Sequence, residues 1–222
     1  MCIRDRNWLK IPFKRTNNQS LRTKQYSKAL DYLKDKDLVY ACWLTRKEAS
    51  STLNAPHNHI SQNASLRVND QELKNRKSLG LTPAWRLNIK NCLKYINSQK
   101  EKIYWEDIKQ GKNLLNLDQF GDVIIARKDI LTSYHLSVTV DDNSDGVTHI
   151  IRGNDLESYT NIHRLLQVLL NLRETKWFHH KLVKDTNGKR IAKRSNSKLS
   201  IKELRENGYS AKEVIKLAKS ST

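Results

Sequence analysis

Three short stretches of this 222-residue chain carry residue types at spacings that could do chemistry. The first is THIIRGNDL, residues 148–156, where Ile150 and Ile151 run straight into Arg152 and Gly153. The β-branched pair favours an extended, packed backbone, and glycine permits a turn or a close backbone approach. Arg152 is therefore expected at the carboxyl end of a buried strand, where open α/β sheets hold ligands. The plain alternative is a surface arginine at a strand end. The second stretch is NGKRIAKR, residues 187–194, a glycine turn followed by a basic, small, basic pattern. Such a cluster is usually a solvated face, but after a strand and before capped helices it could set one lysine against a nucleotide phosphate. The third, DDNSDG at 141–146, has the opening spacing of a calcium-binding EF-hand loop. That loop needs a bidentate glutamate at its twelfth position, and the twelfth residue here is Arg152, so the stretch reads as a polar turn.

The elements that must position these groups follow from periodicity. Tyr26, Leu30 and Leu33 recur at helical spacing between Asn18 and about Lys34. LVYACWL (38–44), PAWRLNI (83–89), KIYW, DVIIAR and WFHHKLV read as strands. Residues 45–80 hold a short helix, a polar stretch and a second helix that Asn69 or Asp70 caps and Gly80 ends. Ile162, Leu165, Leu166, Leu169 and Leu170 form an apolar stripe over 157–171, the strongest helix signal in the chain. Near the end, SIKE (200–203) and SAKE (210–213) are both capping boxes and start two short helices. Alternating strands and helices give an α/β class with a mainly parallel sheet. The expected organisation is a non-native leader at 1–6, MCIRDR, which fits no element, then core at 7–44. An inserted subdomain at 45–82, further core at 83–180, and a basic loop with closing helices at 181–222 complete it.

Charge limits the partners. Lys and Arg number 41 against 23 acids, a formal +18, which attracts polyanions and makes nucleic acid the leading partner. No run approaches the roughly 20 apolar residues of a spanning helix, and no secretory signal core opens the chain. Cys2, Cys42 and Cys92 are too few and too scattered for a disulfide framework, which implies a reducing cytoplasmic compartment. His149, His163, His179 and His180 show no metal-ligand spacing backed by cysteines.

Taken together, YHLSVTVDDNSDGVTHIIRGNDL, the leucine helix and HHKLVKDTNGKRIAKR resemble the catalytic core of the glutamyl branch of class I aminoacyl-tRNA synthetases. Within it they are most similar to the short glutamyl-Q tRNA(Asp) synthetases, which charge the queuosine base of tRNA(Asp). The resemblance runs from about Asn7 to Ala218 and implies a Rossmann-like core. It implies that Tyr134 and Arg152 hold the substrate glutamate, the guanidinium pairing with the side-chain carboxylate. It also implies that Arg190, Ile191, Ala192, Lys193 and Arg194 form a KMSKS-like loop whose Lys193 steadies charge on ATP. Ala192 stands where the family usually has serine, and Arg190 where it often has lysine.

Two departures shape the expectation. The family begins with a strand and a HIGH-like ATP motif that this sequence lacks, so the chain reads as N-terminally incomplete. The family often carries a Cys-x-Cys zinc pair in its inserted subdomain; here Cys42 is followed by Leu44 at the second position, so zinc is not expected. The implied ligands are ATP with Mg2+, glutamate and tRNA(Asp), acting on a monomer away from membranes. Two other readings stay open: the catalytic part of an ordinary glutamyl-tRNA synthetase, and a noncatalytic RNA-binding relic. One local conflict also remains. Tyr134, Leu136, Val138 and Val140 alternate as in a strand, whereas the resemblance implies a helix there, which a crossover to the next strand also needs.

Overall fold

The computed structural model describes residues 3–45, 48, 68–98, 101–183 and 200–220. Among them the α-helices are α1 (Ile3–Trp8), α2 (Thr23–Asp35), α3 (Asp70–Ser78), α4 (Ile89–Ser98) and α5 (Tyr134–Ser144), then α6 (Thr160–Leu169), α7 (Ile201–Glu206) and α8 (Ala211–Ser220). The strands are β1 (Val39–Cys42), β2 (Ala84–Leu87), β3 (Tyr104–Asp107), β4 (Gly111–Leu114), β5 (Ile124–Ala126), β6 (His149–Gly153) and β7 (Lys176–His180). The fold is α/β, as its alternating pattern implies. The sheets are less parallel than expected. One has the order β1-β2-β5 and is antiparallel throughout; the other has the order β4-β3-β7-β6, with β3 antiparallel to β4 and parallel to β7. The β3–β4 hairpin supplies an antiparallel pair because Gly111, at φ +85°, turns the chain back after only three intervening residues.

The chain divides into two compact units, residues 17–150 with 158–177, and residues 1–16, 151–157 and 178–222. The larger unit holds a continuous apolar cluster. Tyr26, Leu30 and Leu33 of α2 join Leu136 and Val140 of α5, and Ile162, Leu165, Leu166 and Leu169 of α6 complete it. Eight of the ten residues of α6 are buried, and the four apolar ones among them, Ile162, Leu165, Leu166 and Leu169, make the stripe seen in the sequence. Segment 134–140 is helical, so the period-two alternation misleads. Ser137 and Thr139 of α5 are also buried, so polar residues fill part of its inward face and the apolar ones alone do not trace it. Asp141, Asp142, Asn143 and Ser144 are the last turn of α5 rather than a loop, and the chain breaks at Gly146, φ +69°.

That last turn is clamped. The Arg22 guanidinium, 6% exposed, donates to Asp141 at 3.2 Å and to Asp145 at 2.7 Å. The Tyr26 hydroxyl and Gln19 Nε2 each donate to Asp141 at 2.8 Å. Burial, then the bond to Asp141, pushes the Tyr26 phenol above its ordinary range. The C-terminal end of α5 is thus tied to the start of α2 across more than a hundred residues of sequence.

Local signals are realised elsewhere in this unit. Asn69 Oδ1 accepts from the Glu72 amide at 2.8 Å and caps α3, while Gly80 at φ +67° follows its end. PAWRLNI is strand only to Leu87: Asn88 Oδ1 accepts from the Asn91 amide, and Ile89 opens α4, burying Ile89, Cys92 and Ile96. The stretch between residues 49 and 67 lies outside the described residues.

The smaller unit is built around Leu9, Leu204 and Val214, with Trp8, Ile201 and Ala211 packed on them. Both capping boxes form: Ser200 and Glu203 satisfy each other's backbone amides, as do Ser210 and Glu213. Within the opening residues, which fit no element by sequence, a helix forms. Ile3–Trp8 is helical, and Asp5 pairs with Arg205 at 3.1 Å. Helix α1 exists because Trp8 and Leu9 have apolar partners in α7 and α8, which the sequence of 1–6 alone does not reveal.

Candidate active site

Tyr134 opens α5. Its N-cap, Ser133, is extended at φ −131°, ψ 169°, and makes no side-chain capping bond. The first-turn amides of a helix have no carbonyl four residues back, so this end carries partial positive charge. Tyr134 is half exposed, and its ring stands edge-on to His135 at 5.5 Å and to His163 at 5.7 Å. His135 Nδ1 lies 3.0 Å from His163 Nε2, so one imidazole donates and the other accepts. Tyr159 lies 5.2 Å from His135, and Phe120 lies 5.8 Å from Tyr159. The phenol therefore projects from a wall of rings whose innermost member, His163, is 3% exposed.

Arg152 belongs to the smaller unit. The strand that carries it is not buried as expected: Ile151 is 70% exposed, and β6 lies at the edge of its sheet. The arginine itself is half-buried, and its Nε donates to Nε2 of the buried His179 on β7 at 3.2 Å. An imidazole nitrogen that accepts carries no proton, so His179 orients the guanidinium without opposing its charge. Gly153 leaves room for two neighbouring side chains. A Cβ there would meet Asp155 Oδ1 at 2.5 Å and Leu182 Cδ2 at 2.8 Å. Tyr134 and Arg152 fall in different compact units. Arg190, Ile191, Ala192, Lys193 and Arg194 lie outside the described residues.

The described cysteines offer no nucleophile. Cys42 and Cys92 are buried, and burial pushes the Cys92 thiol up to about 12. Among the described residues no group of three or more His, Cys, Asp or Glu side chains could hold a metal ion. A separate recess of about 590 Å³ in the larger unit is lined by Tyr104, Lys112, Arg164, Glu174 and Lys176 among others. Its charges are mostly internally matched, with Arg164 on Glu174 and Lys176 on Glu106, both at 2.9 Å. None of the residues singled out by the motifs lines it.

Sequence reasoning missed the groups that support these two side chains. His163 and His179 read as ordinary polar residues; the only available hint was that His163 shares the leucine helix and His179 follows a strand tryptophan. Arg22 gave no signal, since its partners are 119 and 123 residues away.

Comparison with known proteins is consistent across sequence and fold. The family described as tRNA synthetases class I (E and Q), catalytic domain, matches residues 2–219. Glutamate--tRNA ligase 2 of Brucella melitensis is 31% identical over 219 residues, covering 96% of this chain and 48% of its own length. Glutamate--tRNA ligase 1 of Brucella ovis is 31% identical over 221 residues, with the same shares. The chain thus spans about half the length of the curated relatives it matches. Among solved structures, a glutamate tRNA ligase from Elizabethkingia meningosepticum in complex with its amino acid superposes with a TM-score of 0.65 at 18% identity. It covers 93% of this chain and 42% of that one. Glutamate-tRNA synthetase from Elizabethkingia anophelis gives 0.67 at 17% identity, covering 93% and 43%. At such identities the superpositions speak for the fold.

Proposed function

Because the chain belongs to the class I tRNA synthetases (E and Q), matching their catalytic domain over residues 2–219, we propose that it activates glutamate with ATP and passes it to tRNA. In this reading the Tyr134 hydroxyl and the Arg152 guanidinium bind the side-chain carboxylate of glutamate. An arginine can meet a carboxylate with two parallel hydrogen bonds, and bonds to charged groups contribute roughly 1.5–3 kcal/mol each. Glutamine, neutral at that end, leaves the guanidinium poorly matched and is disfavoured. The α-carboxylate attacks the α-phosphate of ATP, pyrophosphate leaves, and Lys193 of the 190–194 loop balances the negative charge that develops on the phosphates. The substrate triphosphate brings Mg2+ with it. A nucleophilic hydroxyl of the RNA then takes the glutamyl group from the adenylate, releasing AMP.

Arg152 carries this reading: a guanidinium at a strand end, oriented by an uncharged imidazole and followed by a glycine that nothing larger replaces without displacing Asp155 and Leu182. For the acceptor we favour the queuosine base of tRNA(Asp), on the motif resemblance over 134–156 and 187–194. The names of the 31% identical relatives favour a second acceptor, tRNA(Glu). The test is glutamate-dependent ATP–pyrophosphate exchange, followed by transfer of labelled glutamate to queuosine-containing tRNA(Asp) and to tRNA(Glu). Exchange with transfer to the first supports the favoured acceptor, and transfer to the second alone replaces it. No exchange, together with salt-sensitive RNA binding, would return the chain to a noncatalytic RNA-binding protein.

A further inference from the structure

A tyrosine at the first position of a helix, with half its surface in solvent, has little to hold it. Its ring would sample several rotamers, and a ligand that needs the hydroxyl in one place would have to select among them. Tyr134 is not in that situation. Its ring is in edge contact with two imidazoles at once, at interplanar angles of 69° and 66°. Edge-to-face packing is directional, so two such contacts from different elements fix both the position and the tilt of a ring. His135 comes from the same helix, one residue on; His163 comes from α6, the most deeply buried helix of the unit.

The two imidazoles are joined by their own nitrogen–nitrogen hydrogen bond of 3.0 Å. His163 is anchored in the apolar interior beside Ile162 and Leu166, both wholly buried. The order of support therefore runs from the core to His163, from His163 to His135, and from both to the phenol. Simple packing would be served equally well by an apolar side chain at 163. A polar ring 3% exposed, bonded to the neighbour of an exposed tyrosine, is a costlier choice unless its bond has a use.

We propose that His135 and His163 are positioning residues: through their shared hydrogen bond they hold the Tyr134 phenol where it meets the acidic side chain of the substrate. This deepens the glutamate reading and rests on it. Neither imidazole touches substrate in this scheme, and both act through Tyr134. The shared bond preorganises the site, so its loss appears as weaker binding of glutamate with ATP affinity unchanged.

The test uses the full chain in four forms: wild type, Tyr134→Phe, His163→Leu and His163→Gln. Leucine keeps most of the volume at 163 without the bond; glutamine keeps a donor and an acceptor able to restore it. Two quantities are measured, the glutamate Kd by calorimetry and the Tyr134 ring signals by NMR with labelled tyrosine, assigned by their loss in Tyr134→Phe. His163→Leu should raise the Kd about tenfold, the cost of immobilising one side chain on binding, and should move the Tyr134 signals toward free tyrosine. His163→Gln should recover both. Unchanged Tyr134 signals in His163→Leu overturn the proposal, and so does equal loss in the leucine and glutamine variants, which would mean packing alone. If the wild type binds no glutamate, the functional reading of Tyr134 falls, while the ring signals still decide whether the imidazoles hold it.

Discussion

Tyr134 and Arg152, the two side chains proposed to bind glutamate, rest on very different supports. Tyr134 stands on a unit whose apolar cluster runs from Tyr26 to Leu169 and whose α5 is clamped at its far end by Arg22. Arg152 belongs to a unit whose buried apolar cluster, among the described residues, is Leu9, Leu204 and Val214. There the helices depend on capping boxes and on the Asp5–Arg205 pair. Burial of a continuous core gives cooperative stability, whereas caps contribute locally and about 1 kcal/mol at a time. The phenol is thus held by the global fold, and the guanidinium by a few specific bonds. Substitutions in the two regions should differ accordingly, in kind as well as in size.

The largest effect is expected from Leu165→Ala. Leu165 is wholly buried in α6, and emptying such a site costs about 2–5 kcal/mol because the surroundings only partly collapse. Chemical denaturation should show a lower midpoint for the transition of the larger unit. A loss well under 1 kcal/mol would mean that α6 is not the slab on which α5 and Tyr134 stand. Arg152→Ala comes next and should leave the denaturation midpoint nearly unmoved. Deleting a hydrogen bond to a charged group is worth about 1.5–3 kcal/mol, so glutamate affinity by calorimetry should fall about ten- to a hundredfold. Arg152→Lys should recover only part of it, since an ammonium lacks the planar fork. A variant that binds glutamate as well as the wild type would remove Arg152 from the substrate and with it half of the comparison.

The same contrast explains what the sequence could tell. The features legible in advance were local ones. Ser200 with Glu203, Ser210 with Glu213, and Asn69 ahead of α3 are written within three or four residues and formed as read. The leucine stripe of α6 was legible because Ile162, Leu165, Leu166 and Leu169 fall at helical spacing on one face and all four join the core. Tyr134 and Arg152 were singled out through a motif, but the side chains that support them were not. Arg22 reaches Asp141 across 119 residues, and His135 reaches His163 across 28, so no window of sequence contains either pair. The exposure of Ile151 was misread for a related reason. Ile150-Ile151 specifies an extended backbone, and whether a strand is central or at an edge is decided by which other strands pair with it. The opening helix was missed because its apolar partners stand two hundred residues later.

A smaller effect should come from the caps of the smaller unit. Ser210→Ala removes the side-chain acceptor that meets the Glu213 amide at 3.3 Å and the hydroxyl that meets its carboxylate at 2.6 Å. The expected cost is about 1 kcal/mol, confined to α8. Hydrogen exchange should quicken in the first turn of α8 while amides of α5 and α6 keep their protection. Faster exchange spreading into α6 would show that the two regions share stability and that the contrast is overdrawn.

The smallest expected effect is a protonation step at the edge of the larger unit. Arg76 donates to both carboxylate oxygens of Glu48, at 2.6 and 3.1 Å, and to Glu72 at 2.6 Å, with a further bond to the Trp43 carbonyl. The Arg76 bonds, then the Thr45 amide, hold the Glu48 carboxyl at about 2, well below its ordinary 4.5. A carboxyl held down in the folded state favours the fold wherever it is ionised in the unfolded chain as well. The contribution is therefore complete above pH 4.5 and is lost as pH falls from there toward 2. Because these groups lie at the surface, salt should weaken the effect and the global transition should barely register it. The measurement is the Glu48 side-chain carboxyl carbon followed by NMR through an acid titration. Its midpoint should lie near 2 in the wild type and return toward 4.5 in Arg76→Gln. An ordinary midpoint in the wild type would mean that Arg76 does not gather Glu48 in solution.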